Sequence, residues 1–439
     1  MKKVDYCKVK DILDKAKSLK GLCKEEVTYL LSHHYDREVT NLVFELAKDI
    51  KDTIYGKRIV FFAPLYISNI CQNECAYCGF QKSNKEITRK KLTKNELKKE
   101  IEYLIDQGVK RILLVASEDP QLSVEEICDH IELCYETKTE KGEIRRVNVN
   151  IAPLKKEEFK LLKNAKIGTY QVFQETYNEE KYRLYHTAGP KSDFKFRYEA
   201  PFRAIEAGID DIGMGILFGL DNPVSEIRGL FEHIAEMERR YGIGPHTISV
   251  PRIKRAVGAK LSYEPPYFID DEYFAFIVAI LRIAIPYTGI ILSTRESKVL
   301  RDRLIDIGVS QISAGSSTSP GGYSTDKKKF SEQFTISDNR SLKEMVITLA
   351  EKGYLPSFCT ACYRRGRTGE VFMELAKTGS IKNLCDKNSL LSFAEYVANF
   401  DEDNREPLKA YIEDLVKYFD EDLKNKVNLI FFGHKDIYY

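Results

Sequence analysis

An α/β fold, a (β/α)8 TIM-type barrel with a helical N-terminal extension and a mostly helical C-terminal domain, is what this sequence predicts. Two observations carry that expectation. Between residues 57 and 337 eight short apolar runs alternate with charged, amphipathic stretches. The runs are near-continuous in Val, Ile and Leu, which is how parallel strands covered on both faces read. Eight such strands in succession fit a closed barrel better than an open doubly wound sheet.

Residues 1–56 read as helices: within Glu25–Lys51 the apolar positions Leu30, Leu31, Leu42, Val43, Leu46 and Ile50 recur at helical spacing. The strand runs then follow as Ile59–Ser68, Arg111–Ala116, Val147–Ile151, Gly168–Phe173, Asp211–Leu217, Thr247–Val250, Gly289–Ser293 and Ser310–Ser313. Helices are expected between them over Lys94–Gln107, Val124–Tyr135, Lys156–Lys163, Phe196–Ala207, Pro223–Arg239, Asp270–Ile285 and Lys298–Ile307. Ser, Thr, Gly and Lys crowd Ser317–Thr335, which reads as a loop or linker. Residues 338–439 read as a separate, mostly helical unit.

Lys and Arg number 68 against 66 Asp and Glu, a balance that argues against a dedicated nucleic-acid or membrane-surface binder. No stretch approaches the roughly 18 unbroken apolar residues of a membrane span. The start, Met1-Lys2-Lys3-Val4-Asp5, has no apolar signal region, so a cytoplasmic location is expected. Ten cysteines in such a chain point to metal or redox chemistry, not to a disulfide scaffold. Cys7, Cys23, Cys128 and Cys134 are scattered and read as structural. The other six fall into two groups.

The first group stands directly after the first strand, in Cys71-Gln72-Asn73-Glu74-Cys75-Ala76-Tyr77-Cys78-Gly79-Phe80. Three thiolates on one short loop can hold three irons of a [4Fe–4S] cluster, leaving the fourth iron open to a small chelating molecule. Loops after the C-terminal ends of strands are where β/α barrels place their chemistry. A zinc site with a distant fourth ligand is the rival reading, although zinc favours CxxC pairs. The second group, Cys359-Thr360-Ala361-Cys362 and then Cys385 after 22 intervening residues, again offers three thiolates. A zinc knuckle there lacks a local fourth ligand, because no His lies between Thr247 and Gly433. Arg364, Arg365 and Arg367 beside these thiolates can offset a cluster's negative charge, or form a solvated turn.

The first motif, in this place, resembles the radical S-adenosylmethionine superfamily. CxxxCxxC near the start of a barrel with CxxC-x22-C near the end resembles the radical tyrosine lyase family of [FeFe]-hydrogenase maturation (hydrogenase maturase G). The likeness covers residues 25–415 and is densest in Phe62–Asn69, Gln174-Glu175-Thr176-Tyr177, Gly244–Ser249 and Cys359–Glu370. The 2-iminoacetate synthase family of thiamine biosynthesis is similar in barrel and tyrosine cleavage but lacks the second cluster. It, or another aromatic amino-acid radical lyase, is the alternative.

The resemblance implies two [4Fe–4S] clusters, one on Cys71, Cys75 and Cys78 and one on Cys359, Cys362 and Cys385. The second would carry a labile fifth iron, held with the help of His246 and of a free cysteine; a core histidine is the rival reading of His246. For S-adenosyl-L-methionine it implies Tyr77 next to the cluster, Ser117 and Glu118 at the methionine ammonium, Glu175 at the ribose and Arg197 at the methionine carboxylate. Gly213 and Gly215 would let adenine approach the fifth strand. The rival readings are a helix cap for Ser117-Glu118, a surface carboxylate for Glu175 and a surface charge for Arg197. Arg295 and Ser313 would clamp the carboxylate of L-tyrosine; an ion pair of Arg295 with Glu296 or Asp302 is the alternative. The activity implied is cleavage of the tyrosine Cα–Cβ bond to p-cresol and dehydroglycine, then formation of CO and cyanide on iron. Other hydrogenase maturation proteins and a reductant such as ferredoxin or flavodoxin are the partners implied, with no nucleic acid and no membrane. Two departures from the family pattern are Asn178, where His is expected, and Ser117, where Gly is more usual.

Overall fold

The computed structural model describes residues 3–324, 332–399 and 402–439. Eight parallel strands close on themselves: β1 (Arg58–Ser68), β2 (Arg111–Ala116), β3 (Arg146–Asn150), β4 (Tyr170–Glu175), β5 (Ile212–Ile216), β6 (Thr247–Ser249), β7 (Gly289–Leu292) and β8 (Gln311–Ser313). Closure pairs Val60, Phe61 and Phe62 of β1 with Gln311, Ile312 and Ser313 of β8. Every strand expected from the sequence is present. Helices ring the barrel, begun by capping side chains: Thr93 with Glu96 at Lys94–Asp106, Ser123 at Val124–Glu136, Asp270 at Asp271–Ala284 and Ser297 at Lys298–Ile307.

Two expectations need correction and a third an addition. The helix read over Phe196–Ala207 is two, Phe194–Tyr198 and Ala200–Glu206, because Pro201 has no N–H to donate backward and opens a new first turn. The C-terminal region is mostly helical, as expected, with one addition: Leu355–Ser357 forms β9, pairing in parallel with Arg58–Val60 of β1. Three residues that include a proline carry no periodic signal. Of the scattered cysteines Cys134 is buried, but Cys7 and Cys23 are exposed, Cys23 at the N-cap of Lys24–Leu31. The expected linker also contributes walls: Thr318, Gln333 and Phe334 border the barrel mouth, while residues 325–331 lie outside the described residues.

Side chains alternate along the strands. Phe61, Ala63, Leu65 and Ile67 join the apolar core shared with the outer helices, whereas Phe62, Pro64 and Tyr66 face the lumen. The lumen departs from the branched aliphatic layers usual in such barrels. Arg111 and Gln311 meet in it, as do Gln171 and Ser249. Glycine there is a space requirement: a Cβ at Gly213 would stand 2.8 Å from Thr247 Oγ1, and one at Gly289 2.6 Å from Gln311 Nε2. Among the described residues no helix is long and apolar enough to cross a membrane.

A candidate active site at both ends of the barrel

β1 runs directly into the cysteine loop at the C-terminal end of the barrel. Main-chain bonds pin that loop: Gln72 donates to the Glu118 carbonyl (3.1 Å), Glu74 to Ala188 (2.9 Å) and Ala76 to Tyr185 (3.0 Å). Gly189, at φ +86°, passes so close that a Cβ would stand 2.4 Å from Asn73 Oδ1. Cys71, Cys75 and Cys78 border one cavity. Asn73 Nδ2 lies 3.6 Å from Cys71 Sγ, and Gln333 Nε2 3.7 Å from Cys78 Sγ. Burial pushes the Cys75 and Cys78 thiols up.

Tyr77 also borders the cavity, its hydroxyl 2.8 Å from His186 Nε2, while His186 Nδ1 lies 2.7 Å from the Tyr182 carbonyl. A carbonyl can only accept, so Nδ1 carries the proton and Nε2 accepts from Tyr77. Burial depresses His186 to about 2 and keeps the ring neutral.

The cavity walls gather most of the sequence candidates. Glu118 Oε2 accepts from Asn73 Nδ2 (2.6 Å), and Ser117 Oγ donates to the Ile70 carbonyl (2.7 Å). The helix cap is Ser123, so neither serves that rival role. Glu175 sits at the irregular end of β4 with φ +71°, a conformation costly for a residue with a Cβ and typical of functional sites. Its carboxylate is 2.5 Å from Lys191 Nζ. Burial pulls that ammonium down, and Glu175 more than reverses the effect, so Lys191 stays charged. Arg197 is buried; Nη1 donates to the Phe173 carbonyl (3.0 Å) and Nε has no partner among the described residues. Arg295 lies over Phe334, 3.3 Å from the ring centroid. Its rival partners are occupied elsewhere: Glu296 holds Arg252 and Lys254, and Asp302 holds Arg340 and Lys352. Among the described residues Ser313 Oγ is buried without a partner.

Three sequence-marked residues stand apart from this cavity. Gly213 faces Thr247 and Gln171 deeper in the lumen, and Gly215 faces the Phe173 ring. Asn178 caps Glu179–Tyr185 and donates to Asp221 Oδ2 (2.7 Å). Lys191, His186, Gln333 and Phe334 were not singled out in the sequence; each comes from a connecting segment whose approach depends on the closed barrel.

A second cavity lies at the opposite end, where strands begin. Cys359, Cys362 and Cys385 border it together with Arg58, Arg111, His246, Gly289 and Gln311. β9 delivers Cys359, whose carbonyl accepts from Arg111 Nη2 (2.8 Å). His246 stacks on Phe372 at 3.9 Å between centroids, with Nδ1 3.6 Å from Asp211; burial lowers its pKa and leaves it neutral. Burial raises Cys385 to about 12 and pushes Cys362 up, with Arg367, Arg58 and Arg111 pulling Cys362 the other way. Arg364 is not a solvated turn residue but pairs with Asp436 (2.6 Å).

These donor sets suit iron–sulfur clusters. Thiols that burial keeps protonated become ligands when a metal's charge replaces the proton. Each trio has N–H donors or guanidinium groups at hand to offset a cluster's negative charge. The upper cavity adds unpartnered donors, Arg197 Nε and Ser313 Oγ, fit for a carboxylate. Among the described residues no three His, Cys, Asp or Glu side chains stand around one common metal-ion position; a cluster spreads its thiolates over separate irons.

The chain is similar to several known proteins. The Radical SAM superfamily matches residues 65–234, and the Biotin and Thiamin Synthesis associated domain matches residues 249–355. The 2-iminoacetate synthase of Escherichia coli is 31% identical over 78% of this chain and 89% of its own length, and that of Salmonella typhimurium 33% over 69% and 78%. The crystal structure of HydG, a maturase of the [FeFe]-hydrogenase, is 44% identical with a TM-score of 0.95, covering 100% of this chain and 96% of that one. HydG from Carboxydothermus hydrogenoformans is 42% identical at a TM-score of 0.83, covering 96% and 93%.

Proposed function

Since the chain belongs to the radical S-adenosylmethionine superfamily and, within it, to the HydG family of [FeFe]-hydrogenase maturases, we propose that it cleaves the Cα–Cβ bond of L-tyrosine to p-cresol and dehydroglycine, and turns the latter into CO and cyanide on iron for the hydrogenase active site. The observation that carries this reading is a pair of cysteine trios bordering cavities at opposite ends of one barrel. An enzyme like 2-iminoacetate synthase gives Cys359, Cys362 and Cys385 no task. They lie past residue 355, where the thiamin-associated match ends, and inside the likeness to HydG.

A reduced [4Fe–4S] cluster with S-adenosylmethionine supplies, when bound, the hydrogen-abstracting deoxyadenosyl radical. Cys71, Cys75 and Cys78 would hold that cluster. Glu118 would take the methionine ammonium, Arg197 its carboxylate and Glu175 the ribose hydroxyls. Arg295, whose neighbours Glu296 and Asp302 are paired elsewhere, and Ser313, whose hydroxyl has no partner among the described residues, would grip the tyrosine carboxylate. Tyr77 is held at the cavity edge by His186, and Phe334 helps exclude water from the mouth. Cys359, Cys362 and Cys385 would hold the second cluster, with neutral His246 and a free cysteine retaining a fifth iron. The polar lumen suits passage of a small polar fragment. A ferredoxin- or flavodoxin-like reductant and the other hydrogenase maturation proteins complete the system.

Anaerobic reconstitution with iron, sulfide, S-adenosylmethionine and tyrosine tests this. Deoxyadenosine, p-cresol and CO should all appear. p-Cresol without CO would remove the maturase reading, and absence of deoxyadenosine would remove every radical-lyase reading. Cys359→Ala combined with Cys362→Ala should keep p-cresol and abolish CO; equal loss of both would contradict the division of labour.

A further inference from the structure

Asp436 is the hub of an ion network that reaches the turn carrying Cys362. Its two carboxylate oxygens accept from Arg364 Nη1 (2.6 and 2.7 Å), and Oδ1 lies 3.2 Å from Arg145 Nε. Arg145 in turn grips Glu395 through both terminal nitrogens (2.8 and 2.6 Å), and the Asp436 N–H donates to Glu395 Oε2 (3.1 Å). These groups belong to separate pieces of the molecule. Arg145 immediately precedes β3 of the barrel, Arg364 follows Cys362 by one turn's reach, and Glu395 is on the helix Ile381–Ala398 that carries Cys385. Tyr439 repeats the pattern: its main-chain oxygen accepts from Arg367 (2.7 Å), and its N–H donates to Asn388 Oδ1 (2.8 Å) on the Cys385 helix.

Two further observations show that this arrangement has a cost and a purpose. Asp436 adopts φ +61°, left-handed backbone that Asp tolerates better than most residues but not freely. Cys362 sits on the single-turn helix Ala361–Arg364, which is too short to hold its own geometry in water. Its orientation must therefore come from outside contacts. Cys359 has such a support in the pairing of β9 with β1, and Cys385 in a long helix; the Cys362 turn is held by Tyr363, whose ring centroid lies 3.2 Å from the Arg146 guanidinium, and by Asp436 through Arg364.

We propose that Asp436 is a positioning residue for the second cysteine trio: through Arg364, Arg145 and Glu395 it ties the Cys362 turn and the Cys385 helix to the barrel floor, so that the three thiols face one cavity. The inference rests on the reading that this trio holds a cluster. Charge-assisted bonds are strong, and the two-nitrogen fork of Arg145 on Glu395 is directional as well, which suits the network to fixing a short element.

The test uses the full chain with Cys71, Cys75 and Cys78 changed to Ala, so that only the second trio can take up iron. After anaerobic reconstitution it should hold about four irons and give a cluster electron paramagnetic resonance signal when reduced. Asp436→Ala should lower that iron content or shift the signal, and Asp436→Glu should restore part of it. In the chain with both trios intact, Asp436→Ala should leave p-cresol formation in place while CO per p-cresol falls about tenfold, the loss expected for one such bond. Native iron, signal and CO ratio in Asp436→Ala would overturn the proposal, as would a parallel loss of p-cresol and CO. Should Asp436→Ala fail to fold, Arg364→Gln, which removes the charge that both Asp436 oxygens accept from, must show the same selective loss; an unchanged signal and CO ratio there overturns the proposal equally. No iron in the parent with the second trio intact would instead defeat the cluster reading itself.

Discussion

Arg197 commits Nη1 to the Phe173 carbonyl and leaves Nε buried without a partner, an arrangement that wastes a donor unless a ligand completes it. Arg197→Lys keeps the charge but replaces a fork with a point donor. The S-adenosylmethionine concentration giving half-maximal deoxyadenosine should rise about 10- to 100-fold, the range for losing charge-assisted bonds, while the tyrosine dependence changes less. An unchanged S-adenosylmethionine dependence would place the methionine carboxylate elsewhere. The cysteines were legible one by one because their spacing is itself the signal. Lys191 was not: in Gly189-Pro190-Lys191-Ser192 it looks like a solvated turn, and only folding brings it to Glu175. Asn178 shows the reverse, since a departure that looked close to the chemistry turns out to cap a helix.

Among the elements, the helix Pro223–Tyr241 buries two titratable groups against the Gln174–Tyr177 motif. Glu226 Oε2 accepts from the Tyr177 N–H (2.7 Å), and His233 Nδ1 meets the Tyr177 hydroxyl (3.0 Å) with Tyr198 stacked on its ring. Burial raises Glu226 from 4.5 to about 8 and lowers His233 from 6.5 to about 3. The signs are opposite. Glu226 contributes stability that is complete below pH 4.5 and is lost as pH rises toward 8; His233 contributes stability that is complete above pH 6.5 and is lost as pH falls toward 3. Of these two groups only Glu226 differs in protonation between folded and unfolded chain from pH 6.5 to 8, so Glu226→Gln should remove a downward slope there. Urea midpoints of the two proteins at equal metal loading should diverge steadily in favour of the variant as pH rises; parallel curves would mean that Glu226 titrates normally. The elements themselves were largely legible, because strands buried on both sides and helices with one apolar stripe leave long periodic signals. β9 was not, since it is a strand only by virtue of its pairing with β1.

The whole molecule inverts the usual plan of its fold. Stability resides in the apolar layer between strands and outer helices, which frees the lumen from serving as core. The signal was present in Arg146-Val147-Asn148-Val149-Asn150, whose alternation is plain, yet a polar interior becomes readable only once the sheet is closed and one face is known to point inward. If the lumen is a passage between the two cysteine trios, its width at mid-barrel is set by glycine. A Cβ on Gly213 would already stand 2.8 Å from Thr247 Oγ1 and 3.0 Å from Gln171 Cγ, so Gly213→Val must fill the space between them. Gly213 does not border the upper cavity, so p-cresol and deoxyadenosine should continue to form. CO per p-cresol should fall severalfold, and the stranded two-carbon fragment should hydrolyse and accumulate as glyoxylate in the medium. Quantifying all four products in one anaerobic reaction decides the matter. A proportional fall of p-cresol and CO would return Gly213 to the adenine contact expected from the sequence, and an unchanged ratio would mean that the fragment reaches the second site by another route.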